Sequence, residues 1–177
     1  MRQVTELAQS VDLLAVQSVV RTLREARERG ACMYIIGNGG SAATASHLAA
    51  DLANAPRRAG QRPLRVFSLA DNSACLSALG NDEGYEQVFA GQLAGCMPGD
   101  VLLAISASGN SPNLLAATDL ATDRGATTVA LLGFDGGALE GVADQTVLVR
   151  SPIGAYGPVE DVHLMLGHII TMCLCHA

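Results

Sequence analysis

The chain has 177 residues, a length typical of one domain with a full hydrophobic core. Its formal charge of -6 and the lack of any run of Lys or Arg argue against nucleic acid as a direct ligand. No apolar stretch approaches the roughly 20 residues that cross a bilayer, and the N-terminus lacks the apolar centre of a signal peptide. We therefore expect a cytoplasmic protein without membrane contact.

The first predicted element is an amphipathic helix. Apolar residues recur near helical spacing over residues 3 to 29, and Gly30 ends the pattern. Nothing farther along the chain resembles a domain boundary, so we predict a single domain over residues 1 to 177. We expect its N-terminal part, residues 1 to 30, to serve in oligomerisation.

Five short apolar segments follow, each succeeded by residues that favour a helix. These predicted strands are residues 32–37, 64–69, 101–106, 127–133 and 145–150. A further helix over residues 84 to 93 fills the second connection, and the last helix runs from about Val159 to Cys175. Because parallel strands need long right-handed crossovers, the alternation predicts an α/β fold, a three-layer α/β/α sandwich. Its five-stranded parallel sheet is expected to have a flavodoxin-like order.

Two glycine- and serine-rich loops follow the first and third predicted strands. They are GNGGS, residues 37 to 41, and SASGNS, residues 106 to 111. Glycine lets the backbone approach a ligand, and the N-terminus of the following helix favours anions. Because turns and helix caps use the same residue types, one such loop alone decides little. Two at equivalent strand ends, without nearby Lys or Arg, indicate a hydrogen-bonded phosphate monoester.

Histidines and acids recur on two predicted helices. His47 and Asp51 are four residues apart and therefore share one helix face. On the last helix, Asp161 is nearly aligned with His168, and Glu160 lies within roughly 80° of it. Spacing alone does not choose between these two acids.

Two imidazoles and two carboxylates suit a divalent metal such as zinc, or a division of acid and base work. Any one of them alone is more simply a solvated helix residue or a satisfied core histidine. The other two histidines, His163 and His176, are interpreted as structural, the latter as a frayed terminal residue.

Four segments carry a resemblance to a known family: GNGGSAATASH, GNDEGY, ISASGNS and VEDVHLMLGH. In this order, from about residue 32 onward, the sequence resembles the sugar isomerase (SIS) family, and within it the phosphoheptose isomerases. The resemblance implies an aldose–ketose isomerase that converts sedoheptulose 7-phosphate to a heptose 7-phosphate through an enediol. It also implies a homotetramer with shared active sites.

The same resemblance assigns residues to the sugar phosphate: Asn38, Gly39, Gly40, Ser41, Asn81, Asp82, Ser106, Ala107, Ser108 and Ser111. His47 matches a zinc ligand, and His168 matches a residue that is both ligand and catalytic acid or base. Asp51 stands where the family has its catalytic glutamate, which withdraws the carboxylate by about 1.5 Å. Glu160 stands where the family has glutamine. Either acid is therefore a candidate for the catalytic base and for a further zinc ligand.

A different class of function is a non-catalytic SIS protein that regulates by binding a sugar phosphate or a partner such as a replication initiator. Relatives of that kind often lose the acid beside the first histidine. This chain keeps Asp51 together with His47 and His168, so the enzyme is favoured over the regulator.

Overall fold

Five parallel strands form one sheet in the computed structural model, which describes residues 2 to 176. The strands are β1 (Cys32–Gly37), β2 (Arg65–Ser68), β3 (Val101–Ser106), β4 (Thr127–Phe134) and β5 (Gln145–Arg150). Their order is β2-β1-β3-β4-β5, and every neighbouring pair is parallel. The flavodoxin-like α/β fold predicted from the alternating segments is confirmed.

Helices cover both faces of this sheet. They are α1 (Arg2–Gln9), α2 (Leu13–Arg29), α3 (Gly40–Arg58), α4 (Ser73–Asp82), α5 (Pro112–Asp123), α6 (Gly137–Val142) and α7 (Tyr156–Cys175). One buried apolar cluster joins the sheet to α1, α2, α3 and α7, and a second joins it to α5 and α6. Adjacent strand residues such as Leu102 and Leu103 belong to different clusters, because successive side chains point to opposite faces. None of the helices within residues 2 to 176 has the length and apolarity needed to cross a bilayer.

The N-terminal segment contains two helices, so the prediction of one continuous helix over residues 3 to 29 is wrong between α1 and α2. The Asp12 carboxylate accepts a hydrogen bond from the Leu14 backbone N–H at 2.8 Å and thereby caps a new helix. Ser10 ends the first helix by donating its hydroxyl to the Leu7 carbonyl at 2.8 Å. The predicted stop at Gly30 is confirmed, since this residue is the C-cap of α2 with a φ of 73°.

The segment predicted as a helix over residues 84 to 93 forms two short 3-10 turns, Tyr85–Gln87 and Ala90–Leu93. The helix predicted there is therefore wrong. Gly84 has a φ of 96°, which prevents α4 from continuing into the segment. A Cβ on Gly91 would lie 2.7 Å from a terminal methyl of Leu79, so glycine allows this close packing.

The last helix begins at Tyr156, three residues before the predicted start at Val159. Pro158 lies in its first turn, where the missing backbone N–H has no partner to lose. The early start matters because it brings Tyr156 to the edge of the sheet, beside the two glycine- and serine-rich loops.

His163 is fully buried on α7, with Nε2 3.0 Å from the Leu132 carbonyl oxygen. Burial lowers the pKa of its imidazole to about 4, from 6.5. The unfolded chain therefore takes up a proton below pH 6.5 that the folded chain refuses until about pH 4. This difference favours unfolding as the pH falls through that window.

We expect His163→Gln to flatten the pH dependence of stability between about pH 6.5 and 4, where the wild type loses about 3 kcal/mol through this histidine. Urea unfolding at several pH values measures the slope. His176→Gln, at the exposed end of α7, is the matched control and should keep the wild-type slope. Parallel slopes for His163→Gln and the wild type would contradict the assignment.

Candidate active site

The two glycine- and serine-rich loops lie side by side, because β1 and β3 are neighbours in the sheet. Between them is a cleft at the carboxyl ends of the strands, where open α/β sheets bind ligands. Its lining residues are Asn38, Ser41, Ile105, Ser106, Ala107, Ser108, Ser111, Leu114, Tyr156 and Glu160. The lining contains no Lys or Arg, so an anion here would be held by hydroxyl and backbone donors.

Gly39 and Gly40 form the start of α3. Gly39 caps the helix with a φ of 54° and a ψ of -122°. A Cβ on Gly40 would lie 2.5 Å from the Glu160 carboxyl carbon, so glycine lets this carboxyl group lie directly against the backbone. The Glu160 carboxylate thus lies against a helix N-terminus, where the backbone dipole favours negative charge.

The loop over residues 106 to 111 is held by the Ser106 side chain and by the start of α6. Ser106 Oγ accepts a hydrogen bond from the Gly109 N–H at 2.9 Å. The Gly109 carbonyl accepts one from the Leu139 N–H at 2.9 Å, and Asn110 Oδ1 accepts one from the Ala138 N–H at 2.9 Å. The loop is therefore held in shape independently of the first loop.

Asn113 and Tyr85, two residues that the sequence did not single out, both contact Asn38 in the first loop. Asn38 and Asn113 exchange two side-chain hydrogen bonds, each of 2.9 Å, and the Tyr85 hydroxyl donates to Asn38 Oδ1 at 3.2 Å. Asn113 follows the second loop by two residues, but nothing in the local pattern indicates its partner. Tyr156 is a third lining residue that sequence reasoning missed.

His47, Asp51 and His168 converge although 121 positions separate the two histidines. The two Nε2 atoms are 2.9 Å apart, and Asp51 Oδ2 lies 3.2 Å from Nε2 of His47 and 3.9 Å from Nε2 of His168. The packing of α3 on α7 brings them together. A Cβ on Gly167 would lie 3.3 Å from Leu48, so glycine beside His168 allows the close approach of the two helices.

This cluster has the donor atoms of a zinc site. One ligand atom from each of His47, Asp51 and His168 lies within 4.8 Å of the other two. Two ligands of a tetrahedral zinc, each at about 2.05 Å, lie about 3.3 Å apart. The observed separations of 2.9, 3.2 and 3.9 Å bracket this value. Three residues with two nitrogens and one oxygen fit zinc and leave a coordination position for a substrate. The shorter carboxylate of Asp51 reaches the cluster.

Glu160 lies outside the cluster of His47, Asp51 and His168, between this cluster and the cleft that separates the two loops. Within residues 2 to 176, the only group of three ligand-type atoms that are mutually within 4.8 Å contains neither Glu160 nor Asp161. Glu160 lines the cleft between the loops and also a second depression that His47 and Asp161 line. It is therefore placed to touch a molecule that spans both places.

Asn81 and Asp82 lie at the exposed end of α4, where the Asn81 amide donates to Asp82 Oδ1 at 2.7 Å. Neither residue is among those that line the cleft within this chain. Tyr85, just beyond them, does reach Asn38. Their assignment to the sugar phosphate stays a prediction.

A SIS domain family model matches residues 1 to 133, a span that includes both loops, His47 and Asp51. With the sheet order and the paired loops, this match defines the class of the protein. The chain belongs to the SIS domain family, as its motifs predicted.

Similar proteins within that family are phosphoheptose isomerases. The chain is 43% identical to that of Solidesulfovibrio magneticus over 165 residues, which cover 91% of this chain and 78% of the relative. It is 39% identical to that of Aquifex aeolicus over 163 residues, covering 90% and 84%. The solved phosphoheptose isomerase from Neisseria gonorrhoeae superimposes with a TM-score of 0.87 at 29% identity, covering 98% of this chain and 92% of the other.

Proposed function

We propose that this protein is a phosphoheptose isomerase that interconverts sedoheptulose 7-phosphate and a heptose 7-phosphate. The observation that carries the proposal is the convergence of His47, Asp51 and His168 beside a hydroxyl-lined cleft at the same sheet edge. The similarity to phosphoheptose isomerases over most of the chain supports the same substrate.

The cleft suits the phosphate end of the substrate. Ser106, Ser108 and Ser111 offer hydroxyl donors, and the N-terminus of α5 follows directly. The phosphate group does not react, but its binding energy orients the reacting carbons at the other end of the substrate. We expect Gly39, Gly40 and Ala107 to contribute backbone contacts, because they have no polar side chain.

His47, Asp51 and His168 are proposed to hold one zinc ion, which would polarise the substrate carbonyl when bound. A carboxylate would remove the proton from the carbon next to that carbonyl and leave an enediolate, which becomes an enediol when the carbonyl oxygen is protonated. The resulting carboxylic acid would return its proton to the neighbouring carbon, the former carbonyl carbon, and complete the isomerisation. Glu160 suits this step because it lies between the phosphate cleft and His47, whereas Asp51 is engaged with the two imidazoles. His168 would move the proton between oxygens. The Nε2 atom of His168 points toward His47. Because one nitrogen cannot bind zinc and carry a proton at the same moment, this atom has only one of the two roles at any one time.

We also propose a homotetramer with shared active sites. Met165, Ile169 and Met172 are exposed at helical spacing on α7, on the helix that carries His168. Covering such apolar side chains is a common role of a subunit contact. A contact there would bring a second copy of the chain close to the zinc ligands.

The direct test is conversion of sedoheptulose 7-phosphate by the purified protein, with and without added zinc, next to five- and six-carbon ketose phosphates. We expect aldose formation to be fastest with the seven-carbon substrate, and metal analysis to find about one zinc per chain. A zinc-loaded protein that converts none of them would contradict the enzyme. It would favour the alternative of a non-catalytic sugar-phosphate or partner-binding regulator.

A further inference from the structure

The amide pair between Asn38 and Asn113 connects two parts of the active site. Each side chain both donates and accepts at 2.9 Å, so the pair is held in one relative orientation. Asn113 is 2% exposed, and the Tyr85 hydroxyl gives Asn38 Oδ1 a second donor. Breaking the pair would leave the buried Asn113 amide unpaired and away from water, which is energetically costly.

The two partners belong to different functional elements. Asn113 lies in the first turn of α5, directly after the loop over residues 106 to 111. Asn38 lies between β1 and α3, the helix that carries His47 and Asp51. The pair therefore joins the segment that would hold the phosphate to the helix that carries two of the three zinc ligands.

We propose that Asn113 is a positioning residue that sets the distance between the bound phosphate and the catalytic cluster through its amide pair with Asn38. The inference rests on the proposed isomerase function. Asn113 does not need to touch the reacting carbons for this role. It keeps α3 in register with the loop that anchors the substrate.

The loop over residues 106 to 111 has supports of its own. The Leu139 and Ala138 N–H groups hold it against α6, and Ser106 holds Gly109. Loss of the amide pair should therefore leave phosphate binding nearly intact while the cluster shifts relative to the substrate. A misplacement of about 1 Å can lower a rate about a hundredfold.

Asn113→Leu removes both hydrogen bonds at similar side-chain volume. We expect kcat to fall about ten- to a hundredfold, while the dissociation constant for inorganic phosphate changes less than about twofold. Thr118→Val is the matched control, because Thr118 is buried on the same helix and its hydroxyl bonds only to the Leu114 carbonyl of that helix. An unchanged kcat, or a phosphate affinity that falls as much as kcat, would overturn the proposal.

Asn113→Asp supplies a second variant in case the leucine variant does not fold. An ionised carboxylate can accept from Asn38 but cannot donate to it, whereas the protonated acid can do both. Activity relative to the wild type at the same pH is therefore expected to rise from about pH 8 to about pH 6, since burial raises the pKa of a carboxyl group. Circular dichroism at both pH values checks that the fold is retained. A ratio that does not change with pH in the folded variant would count against the positioning role.

Amide hydrogen exchange separates this proposal from the isomerase assignment. In Asn113→Leu, we expect faster exchange over residues 37 to 41 and little change over residues 106 to 111. If the wild type proves inactive but the exchange pattern holds, the proposed function fails and the amide link stands. If the wild type is active and exchange over residues 37 to 41 is unchanged, the link is wrong.

Discussion

Replacing Asp51 with asparagine or His168 with alanine is expected to lower kcat/KM for the sugar phosphate at least about a hundredfold. Each change removes one of three ligand-type groups that converge within 4.8 Å, so bound zinc should fall in parallel. Steady-state kinetics and metal analysis of the same preparations measure both quantities. Turnover that stays at the wild-type level in both variants would eliminate these residues from the mechanism.

Glu160→Gln tests which of the two carboxylates, Asp51 or Glu160, is the catalytic base and which is a zinc ligand. Because Glu160 lies outside the metal-type cluster, this variant should keep its zinc while its kcat falls by about a hundredfold or more. Asp123→Asn, on the exposed end of α5, is the control for loss of one negative charge. If Glu160→Gln loses its zinc, Glu160 is a ligand; if it keeps full activity, Asp51 is the base.

Gly109→Ala is expected to have the second large effect, on substrate binding and on folding. Gly109 has a φ of 64°, and an added Cβ would lie 2.7 Å from the Gly136 carbonyl carbon and still closer to its oxygen. The left-handed backbone costs about 1–2 kcal/mol for alanine, and overpacking adds about 1–3 kcal/mol. We expect KM to rise at least about tenfold, because the loop must move away from α6. Thermal unfolding should shift down by roughly 5–10 °C.

Gly60→Ala separates the effect of backbone strain from the effect of overpacking. Gly60 also has a positive φ, of 78°, but no atom lies within 4 Å of an added Cβ. It ends the segment after α3 and is remote from the cleft lining. This control should lose only the strain cost of about 1–2 kcal/mol and keep the wild-type KM. A Gly109→Ala protein that behaves like the control would show that the loop does not depend on its contact with α6.

The packing of α3 against α7 accounts for how an aspartate at position 51 meets both histidines. The sequence suggested that its shorter side chain withdraws the carboxylate from the site by about 1.5 Å. The close packing of α3 on α7 at Gly167 brings His168 Nε2 to within 3.9 Å of Asp51 Oδ2. The proposed mechanism assigns proton transfer to Glu160, which has the longer side chain and lies against Gly40.

The features that the sequence determined by itself follow from short patterns along the chain. Apolar segments of strand length, separated by helix-forming residues, led to the five parallel strands and their order. Loop composition located the cleft at the carboxyl ends of β1 and β3, since both loops follow their strands directly. The spacing of His47 and Asp51 showed that they share a helix face, because four residues make about one helical turn.

Tertiary structure alone decided which distant groups meet. The contact between His47 and His168 depends on how α3 packs against α7, and the pair of Asn38 with Asn113 depends on β1 lying next to β3 in the sheet. The tertiary structure also shows that Glu160 lies outside the cluster of His47, Asp51 and His168. Helical spacing could not show this, because spacing describes one helix and not its neighbours. The break at Asp12 was missed because apolar periodicity continues across it, while a single side-chain cap starts the new helix. Periodicity reports which face of a segment is buried, and only packing decides what that face meets.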